Sequence, residues 1–216
     1  MFYRQKLLLA LLETFDGFLA STDFQKYLFL YTRLCEREHS YEFAPYNFGC
    51  FSFQSYADKS KLVAFGYLKD VPEWTLALTT QRHADQLKRS IRQKLELFKA
   101  RYGALRGNAL LRHVYEKYPY YAQNSLVAAQ IVGPTEMEAI KRFKEKKRTR
   151  LFATIGYEGV PVKTYINKLI QNDVRTLVDV RSNPQSRKFG FSKSRLSDLL
   201  EKVGIQHAAI AEKVHF

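Results

Sequence analysis

The residue types best suited to chemistry lie in two short segments of the last third of the chain. Residues 156–159 read GYEG, and residues 181–193 read RSNPQSRKFGFSK. Glycines permit positive φ and a close approach of the backbone to a ligand, and arginine and lysine donate to anions. Backbone amides at the start of a helix near Ser192 also favour an anion. The segments therefore predict a site for a small anionic ligand or phosphate, formed by Gly156, Tyr157, Glu158, Gly159, Arg181, Asn183, Arg187, Lys188, Ser192 and Lys193.

Two carboxylates near these segments, Glu158 and Asp179, are the candidate catalytic groups. Either can act as a general base or bind a ribose hydroxyl. A structural ion pair, Asp179–Arg181 or Glu158–Arg187, explains the same residues equally well. GYEG matches neither a phosphate-loop nor a dinucleotide-binding fingerprint, and His207 has no obvious partner in the sequence. The residues alone therefore leave both binding and catalysis open.

The elements around these segments predict an incomplete α/β domain over residues 151–216. Short apolar runs at 151–155, 174–180 and 205–210 are typical of strands, while 160–172 and 193–203 have helical spacing with one apolar face. Strands that alternate with helices form parallel sheets with right-handed crossovers. Ligands bind at the carboxyl ends of such strands, so both chemical segments are expected at one edge of the sheet.

The order of motifs in this region is specific. TIGYEG is followed by DVR, a proline-containing loop, and GFSK leading into a helix. This pattern closely resembles a bacterial family, domain-of-unknown-function family 488, over about residues 105–210, and the sharpest part lies at 152–205. The stretch LRGNALLRHVYEKYPYYAQNS is similar to the connector of members that carry an extra N-terminal domain.

The resemblance implies a fold and a candidate site, but it does not imply a particular reaction. Members of the family usually continue after the third strand with a later segment that contains Cys, His and Arg. Here the sequence ends at IQHAAIAEKVHF, so we expect a truncated member. If that later segment holds a catalytic group, the chain would be inactive, so we expect binding before enzymatic activity.

Residues 1–80 predict a mostly helical, winged-helix-like domain. Apolar residues at 3–4 spacing indicate helices at 4–14, 23–37 and 53–65. A short strand at 66–70, a turn and a second strand at 74–78 are expected to follow. This region has 8 Lys and Arg against 9 Asp and Glu, so it lacks the positive charge of a typical DNA-binding domain. We therefore expect it to contact proteins or support assembly rather than to recognise DNA bases. Part of it is also similar to some bacterial antitoxin-like and phage-associated proteins.

Most of the excess charge lies in a basic helical connector at residues 81–150, which holds 17 Lys and Arg against 6 Asp and Glu. Helices are predicted at 82–102, at 104–118 and after Pro134. A cationic block favours a polyanionic partner, with nucleic acid first, although it is also typical of a solvated face. The predicted phosphate contacts are Arg82, Lys88, Arg89, Arg92, Lys99, Arg142, Lys146, Lys147 and Arg148.

The composition narrows the function further. The two cysteines, Cys35 and Cys50, lack metal-ligand spacing, so we expect free thiols, no metal and no cofactor. No stretch approaches the roughly 20 apolar residues of a membrane span, so we expect a cytoplasmic protein with no membrane partner.

The sequence thus predicts an α+β, nucleic-acid-associated or regulatory binding protein of a bacterial cell, of the kind linked to defence systems, with a phosphate site on its α/β loops. Two alternatives stay open. One is an enzyme that acts on a nucleotide or nucleic acid. The other is an assembly protein whose partial sheet is completed by a partner chain or by a second copy.

Overall fold

The computed structural model describes residues 1–77, 82–144, 152–172, 174–181 and 186–209. Its architecture is mixed α and β, with a helical N-terminal part and small two-stranded sheets, as the sequence predicted. The helices are α1 Tyr3–Thr14, α2 Ser21–Cys35, α3 Phe53–Ala64, α4 Arg89–Tyr102, α5 Gly107–Lys117, α6 Pro119–Ala122, α7 Ala128–Ile131, α8 Pro134–Lys144, α9 Val162–Gln171 and α10 Lys193–Glu201. The strands are β1 Phe18–Leu19, β2 Ala44–Tyr46, β3 Gly49–Phe51, β4 Trp74–Thr75, β5 Thr176–Asp179 and β6 Gln206–Ala209.

The N-terminal part is built around helices α1 and α2. Residues 7–12 of α1 are all buried, because this stretch is apolar on every side and has no polar face to present to water. Strand β1 pairs antiparallel with β4, and Leu68 bridges Leu76 beside them. The winged-helix identity of this part stays a prediction.

A hairpin, β2–β3, separates α2 from α3. Pro45 pairs with Cys50, and Gly49 closes the turn with φ of +88°. A Cβ at Gly49 would lie 2.5 Å from Cε1 of Tyr115, so only glycine fits against this buried ring. The hairpin therefore rests on α5 of the basic segment.

The basic segment begins differently from the single helix that the sequence predicted over 82–102. A 3₁₀ turn at His83–Gln86 precedes α4, which starts at Arg89. The carboxylate of Glu13 in α1 accepts the main-chain N–H groups of His83 and Ala84 at 3.0 and 2.9 Å. This cap holds the turn against α1, so tertiary contact interrupts the helix.

Residues of the basic segment share one hydrophobic core with the N-terminal part. Leu95 and Phe98 of α4, and Val114 of α5, are buried in the same cluster as Tyr27 of α2. The predicted domain boundaries, at 80/81 and 150/151, lie outside the described residues.

The C-terminal segment contains one parallel strand pair, β5–β6, with Thr176 opposite Gln206 and Asp179 opposite Ala209. The prediction of a strand at 151–155 is wrong for the described residues 152–155, which form no strand. Phe152 is 93% exposed, because this short apolar run has no neighbouring strand in the described chain to pair with it. The predicted three-stranded sheet is therefore two-stranded in this part of the chain.

The C-terminal segment packs on the hairpin side of the N-terminal part. Buried residues of α9 and α10 form a second core cluster that also contains Ala44 and Phe53. Thr164 donates to the carboxylate of Glu42 at 2.7 Å, and the side-chain amide of Asn167 donates to the carbonyl of Phe43 at 2.8 Å. These contacts join α9 to the residues that lead into β2.

Both cysteines are free thiols, as expected. Among the helices of the described residues, none has the length and apolar content that a membrane crossing requires.

Candidate anion-binding site

The centre of the candidate site is the pair formed by Asp179 and Arg181 at the carboxyl end of β5. Arg181 clamps the carboxylate with two side-chain donors, and its Nε lies 2.8 Å from Oδ1. The main-chain N–H of Arg181 also donates to Oδ1, at 3.1 Å, while Nη1 donates to the carbonyl of Phe191 at 2.8 Å. Of the two structural ion pairs that the sequence left open, Asp179–Arg181 is therefore present, and it ties the strand to the loop before α10.

The electrostatics of this pair keep Asp179 ionised. Hydrogen bonds from Arg181 lower the pKa of Asp179 below its ordinary value, and they outweigh the burial that would raise it. The side chain of Asp179 is only 5% exposed. A carboxylate that is held this way is a weak proton acceptor, so its contacts favour a positioning role over the role of general base.

His207 adds a partner that the sequence did not indicate. Its Nε2 lies 3.7 Å from Oδ2 of Asp179, and it has no hydrogen-bond partner in the described part of the chain. The parallel register explains the approach, because His207 stands opposite Leu177, two residues before Asp179 on the same face of β5. The expectation that His207 has no obvious partner is therefore corrected only in one respect, because a carboxylate lies within ion-pair distance of it without accepting a hydrogen bond. The proximity of His207 and Asp179 follows from the register of β5 and β6, which cannot be inferred from the sequence of either strand alone.

The GYEG segment lies beside this pair. The guanidinium carbon of Arg181 is 5.2 Å from the ring centroid of Tyr157, which packs 4.9 Å from the ring of Phe191. The ammonium of Lys188 donates to the carbonyl of Tyr157 and lies 5.1 Å from the ring centroid of Phe191. The two chemical segments therefore meet in the structure, although the first is not preceded by a strand in the described residues.

The remaining site residues surround this centre with different exposure. Glu158, Arg187 and Lys193 are exposed, and Ser192 is the N-cap residue of α10 without a side-chain capping hydrogen bond. A Cβ at Gly156 or Gly159 would meet nothing within 4 Å, so the backbone there borders open space. Asn183 lies outside the described residues. An anion at this edge would meet the exposed cations first, since Arg181 and Lys188 already have partners within the chain.

The predicted phosphate contacts divide into two groups. Arg82, Arg89, Arg92 and Lys99 line one open groove of about 870 Å³, which we call the basic groove. Four acidic residues line it as well, namely Glu13, Asp16, Asp85 and Glu96.

Two cations of the basic groove already have acidic partners, since Arg92 pairs with Asp85 at 2.7 Å and Lys99 pairs with Asp16 at 2.9 Å. Lys88 and Arg142 are exposed but do not line the groove. Lys146, Lys147 and Arg148 lie outside the described residues.

Comparison with known proteins bears on the C-terminal segment. The fold and site there define a parallel α/β segment with cationic loops, packed against a helical N-terminal part. Residues 161–213 match the family described as Domain of unknown function DUF488. The C-terminal part of the chain is therefore similar to this family, and the resemblance stated from the motifs is confirmed over the matched residues. No curated protein and no solved structure matches the chain.

Proposed function

We propose that this protein is a nucleic-acid-associated, regulatory binding protein that also holds a small anionic ligand at its α/β loops. One observation carries the proposal. Arg82, Arg89, Arg92 and Lys99, which the sequence singled out as phosphate contacts, line the same groove. Cations that share a groove can neutralise neighbouring phosphates of one strand, and the release of counterions then drives binding.

The acidic residues of the basic groove do not prevent this role. The Arg92–Asp85 and Lys99–Asp16 pairs are solvent-exposed, and pairs of this kind contribute about 0–1 kcal/mol. A phosphate can therefore replace either carboxylate at small cost. Arg89 is exposed and forms no ion pair with the described residues, so it is available for a phosphate without any exchange.

Binding is favoured over catalysis by the state of the two candidate bases. Asp179 is held by Arg181, and Glu158 is exposed to water. The enzyme alternative assigns the base to one of these carboxylates and charge stabilisation to Arg181 and Arg187. Turnover in a nucleotide panel that is lost in Arg181→Ala and kept in Lys88→Ala would favour that alternative.

The experiment compares two triple variants that each remove three positive charges. Arg82→Ala/Lys88→Ala/Arg89→Ala alters the basic segment, and Arg37→Ala/Lys69→Ala/Lys168→Ala alters exposed cations elsewhere. Gel-shift titrations with duplex DNA and with RNA are run at low and at moderate salt. We expect the first variant to weaken binding and to reduce the slope of log K against log salt by about one per lost contact, and the control to bind as the wild type does. The proposal is contradicted if the binding constant does not depend on salt concentration, or if both triple variants weaken binding equally.

A second candidate function is assembly through the open face of the two-stranded sheet. Val178 and Val180 are 45% and 69% exposed, while Leu177 and Asp179 on the other face of β5 are buried. Apolar side chains along one face of a strand favour a protein partner, and a second copy of the chain is the simplest one. We expect light scattering at micromolar concentration to detect a dimer that Val178→Lys abolishes. A wild-type monomer would count against assembly with itself.

A further inference from the structure

A cavity of about 580 Å³ lies between the N-terminal part and the C-terminal segment. One wall comes from α2, the β2–β3 hairpin and α3, and the opposite wall comes from Phe189, Gly190 and one face of α10. The cavity shares no residue with the basic groove or with the candidate anion-binding residues of the sequence. Its volume falls within the range of small-ligand sites in proteins.

Exposed aromatic rings stand on both walls. Phe48, at the turn of the β2–β3 hairpin, is 45% exposed, and Phe189, from the loop before α10, is 49% exposed. On the N-terminal wall, the ring of Phe51 also packs 4.9 Å from Phe53 and 5.1 Å from Tyr56. Packed rings provide a firm wall, whereas the two exposed rings leave π-faces available for a planar group.

A buried ammonium on the N-terminal wall can form more hydrogen bonds than the one described for it. Lys26 of α2 is 2% exposed and lines the cavity, and its Nζ donates to the carbonyl of Cys50 at 3.0 Å. An ammonium carries three donors, and Lys26 forms no ion pair with the described carboxylates. Burial lowers the pKa of Lys26, and it outweighs the nearby charge of Asp23, which raises that pKa. An acceptor in the cavity could take a further N–H of this ammonium.

The same wall contains the start of α2, and the opposite wall contains two further cations. Ser21 and Thr22 open the 15-residue helix α2, which has no side-chain cap, and both line the cavity. Arg195 and Leu199 of α10 line it together with Lys202, the residue that caps the end of this helix, at spacings of four and three residues, which place them on one side of the helix. Helix N-termini and cations both favour an anion, so the electrostatics of the two walls agree.

We propose that this cavity binds a nucleotide unit, either free or within a single strand. The base stacks on Phe48 and Phe189, and the phosphate is held by Lys26, Arg195 and Lys202. The combination of exposed rings with cations is the one that binds single-stranded nucleic acids without reading their sequence. This inference rests on the proposed association with nucleic acid, and it adds a base-stacking site to the phosphate contacts of the basic groove.

The test measures binding of fluorescein-labelled pentathymidylate by anisotropy and of thymidine monophosphate by calorimetry. The variants are Phe48→Ala, Phe189→Ala and Arg195→Ala/Lys202→Ala. Phe65→Ala is the matched control, because this ring is 67% exposed and does not line the cavity. Loss of a stacking ring weakens binding by about tenfold or more, so we expect that loss in Phe48→Ala and in Phe189→Ala and less than a twofold change in the control. Thermal unfolding checks that the exposed substitutions leave the fold intact.

The two ligands distinguish the source of the nucleotide. Binding of the monophosphate that depends on both rings supports a free nucleotide, and ring-dependent binding of the pentamer alone supports a strand. Binding of neither ligand, or binding that Phe48→Ala and Phe189→Ala leave unchanged, overturns the inference.

The variant Arg82→Ala/Lys88→Ala/Arg89→Ala, measured in parallel, separates this site from the basic groove. If only that variant weakens binding of the pentamer, the cavity inference fails and the proposed function stands. If only the cavity variants weaken it, the phosphate role of the basic groove fails and the cavity inference stands.

Discussion

Replacing Asp179 by asparagine tests whether this carboxylate holds the structure together or performs chemistry. The substitution keeps the shape of the side chain but removes the charge that Arg181 clamps, and both side chains are largely buried, with 5% and 17% exposed. Removing one partner of a buried ion pair costs about 3–5 kcal/mol. Asparagine retains one acceptor, so we expect the lower end, about 3 kcal/mol, and a fall in Tm of roughly 6–12 °C for a chain of this length.

The assay is urea unfolding followed by circular dichroism, with a double-mutant cycle as the control. Arg181→Met alone leaves Asp179 buried without its cation, so it should cost a similar amount. The double variant Asp179→Asn/Arg181→Met leaves neither charge unpaired. We expect its loss to be smaller than the sum of the single losses by about 2 kcal/mol.

The pH dependence supplies a second readout of the same pair. The folded pKa of Asp179 is lowered, so its contribution to stability is present above the unfolded pKa of about 3.9 and is lost as the pH falls through the folded pKa. The difference in free energy of unfolding between the wild type and Asp179→Asn should therefore have its maximum value near pH 6 and decrease below about pH 4. An Asp179→Asn protein that is as stable as the wild type, yet has lost ligand binding or turnover, would refute the structural role.

Three further substitutions test the packing away from this pair. Asp58 is fully buried and accepts from Arg4 at 2.7 Å, so we expect Asp58→Asn to cost about 3 kcal/mol in urea unfolding. Burial lowers the pKa of His83, so the unfolded chain binds a proton at a higher pH than the folded chain does. The free energy of unfolding of the wild type should therefore fall from pH 7.5 to 5.5, and that of His83→Leu should fall by less. Gly190 has φ of +83°, and a Cβ there would lie 2.7 Å from Cγ2 of Val162, so Gly190→Ala should cost about 2–4 kcal/mol in thermal unfolding.

Matched substitutions make these outcomes decisive. Asp198→Asn removes an exposed carboxylate, and Gly156→Ala adds a methyl group where nothing lies within 4 Å, so both should leave stability within about 0.5 kcal/mol of the wild type. Equal losses in Asp58→Asn and Asp198→Asn, or in Gly190→Ala and Gly156→Ala, would contradict the packing described. Parallel pH profiles for the wild type and His83→Leu would exclude His83 as the source of the pH dependence.

Much of the helical framework follows from the spacing of apolar residues. Helices predicted at 4–14, 23–37 and 160–172 appear as α1, α2 and α9 with ends shifted by a few residues. The errors fall where distant contacts decide the outcome. Glu13 of α1 interrupts the helix predicted over 82–102, and the described part of the strand predicted at 151–155 has no strand to pair with. Neither effect is encoded in the local pattern of residues.

The candidate site shows the same division. Asp179 and Arg181 are two residues apart, so their pairing was an open alternative in the sequence itself. His207 comes 28 positions after Asp179, and only the β5–β6 register places it beside the carboxylate. Lys26 and Arg195 line the same cavity although they lie still further apart in the chain, and no sequence motif connects them.

The sequence by itself determined the helical periodicity, the concentration of positive charge at residues 81–150 and the DUF488 motifs near the C-terminus. These properties depend on residues that are close together in the chain, which is why they can be read without coordinates. The tertiary structure alone decided which cations share the basic groove, which carboxylate is held by an arginine, and which aromatic residues line the cavity. Such properties depend on burial and on contacts between residues far apart in the chain, and these are established only when the elements pack together.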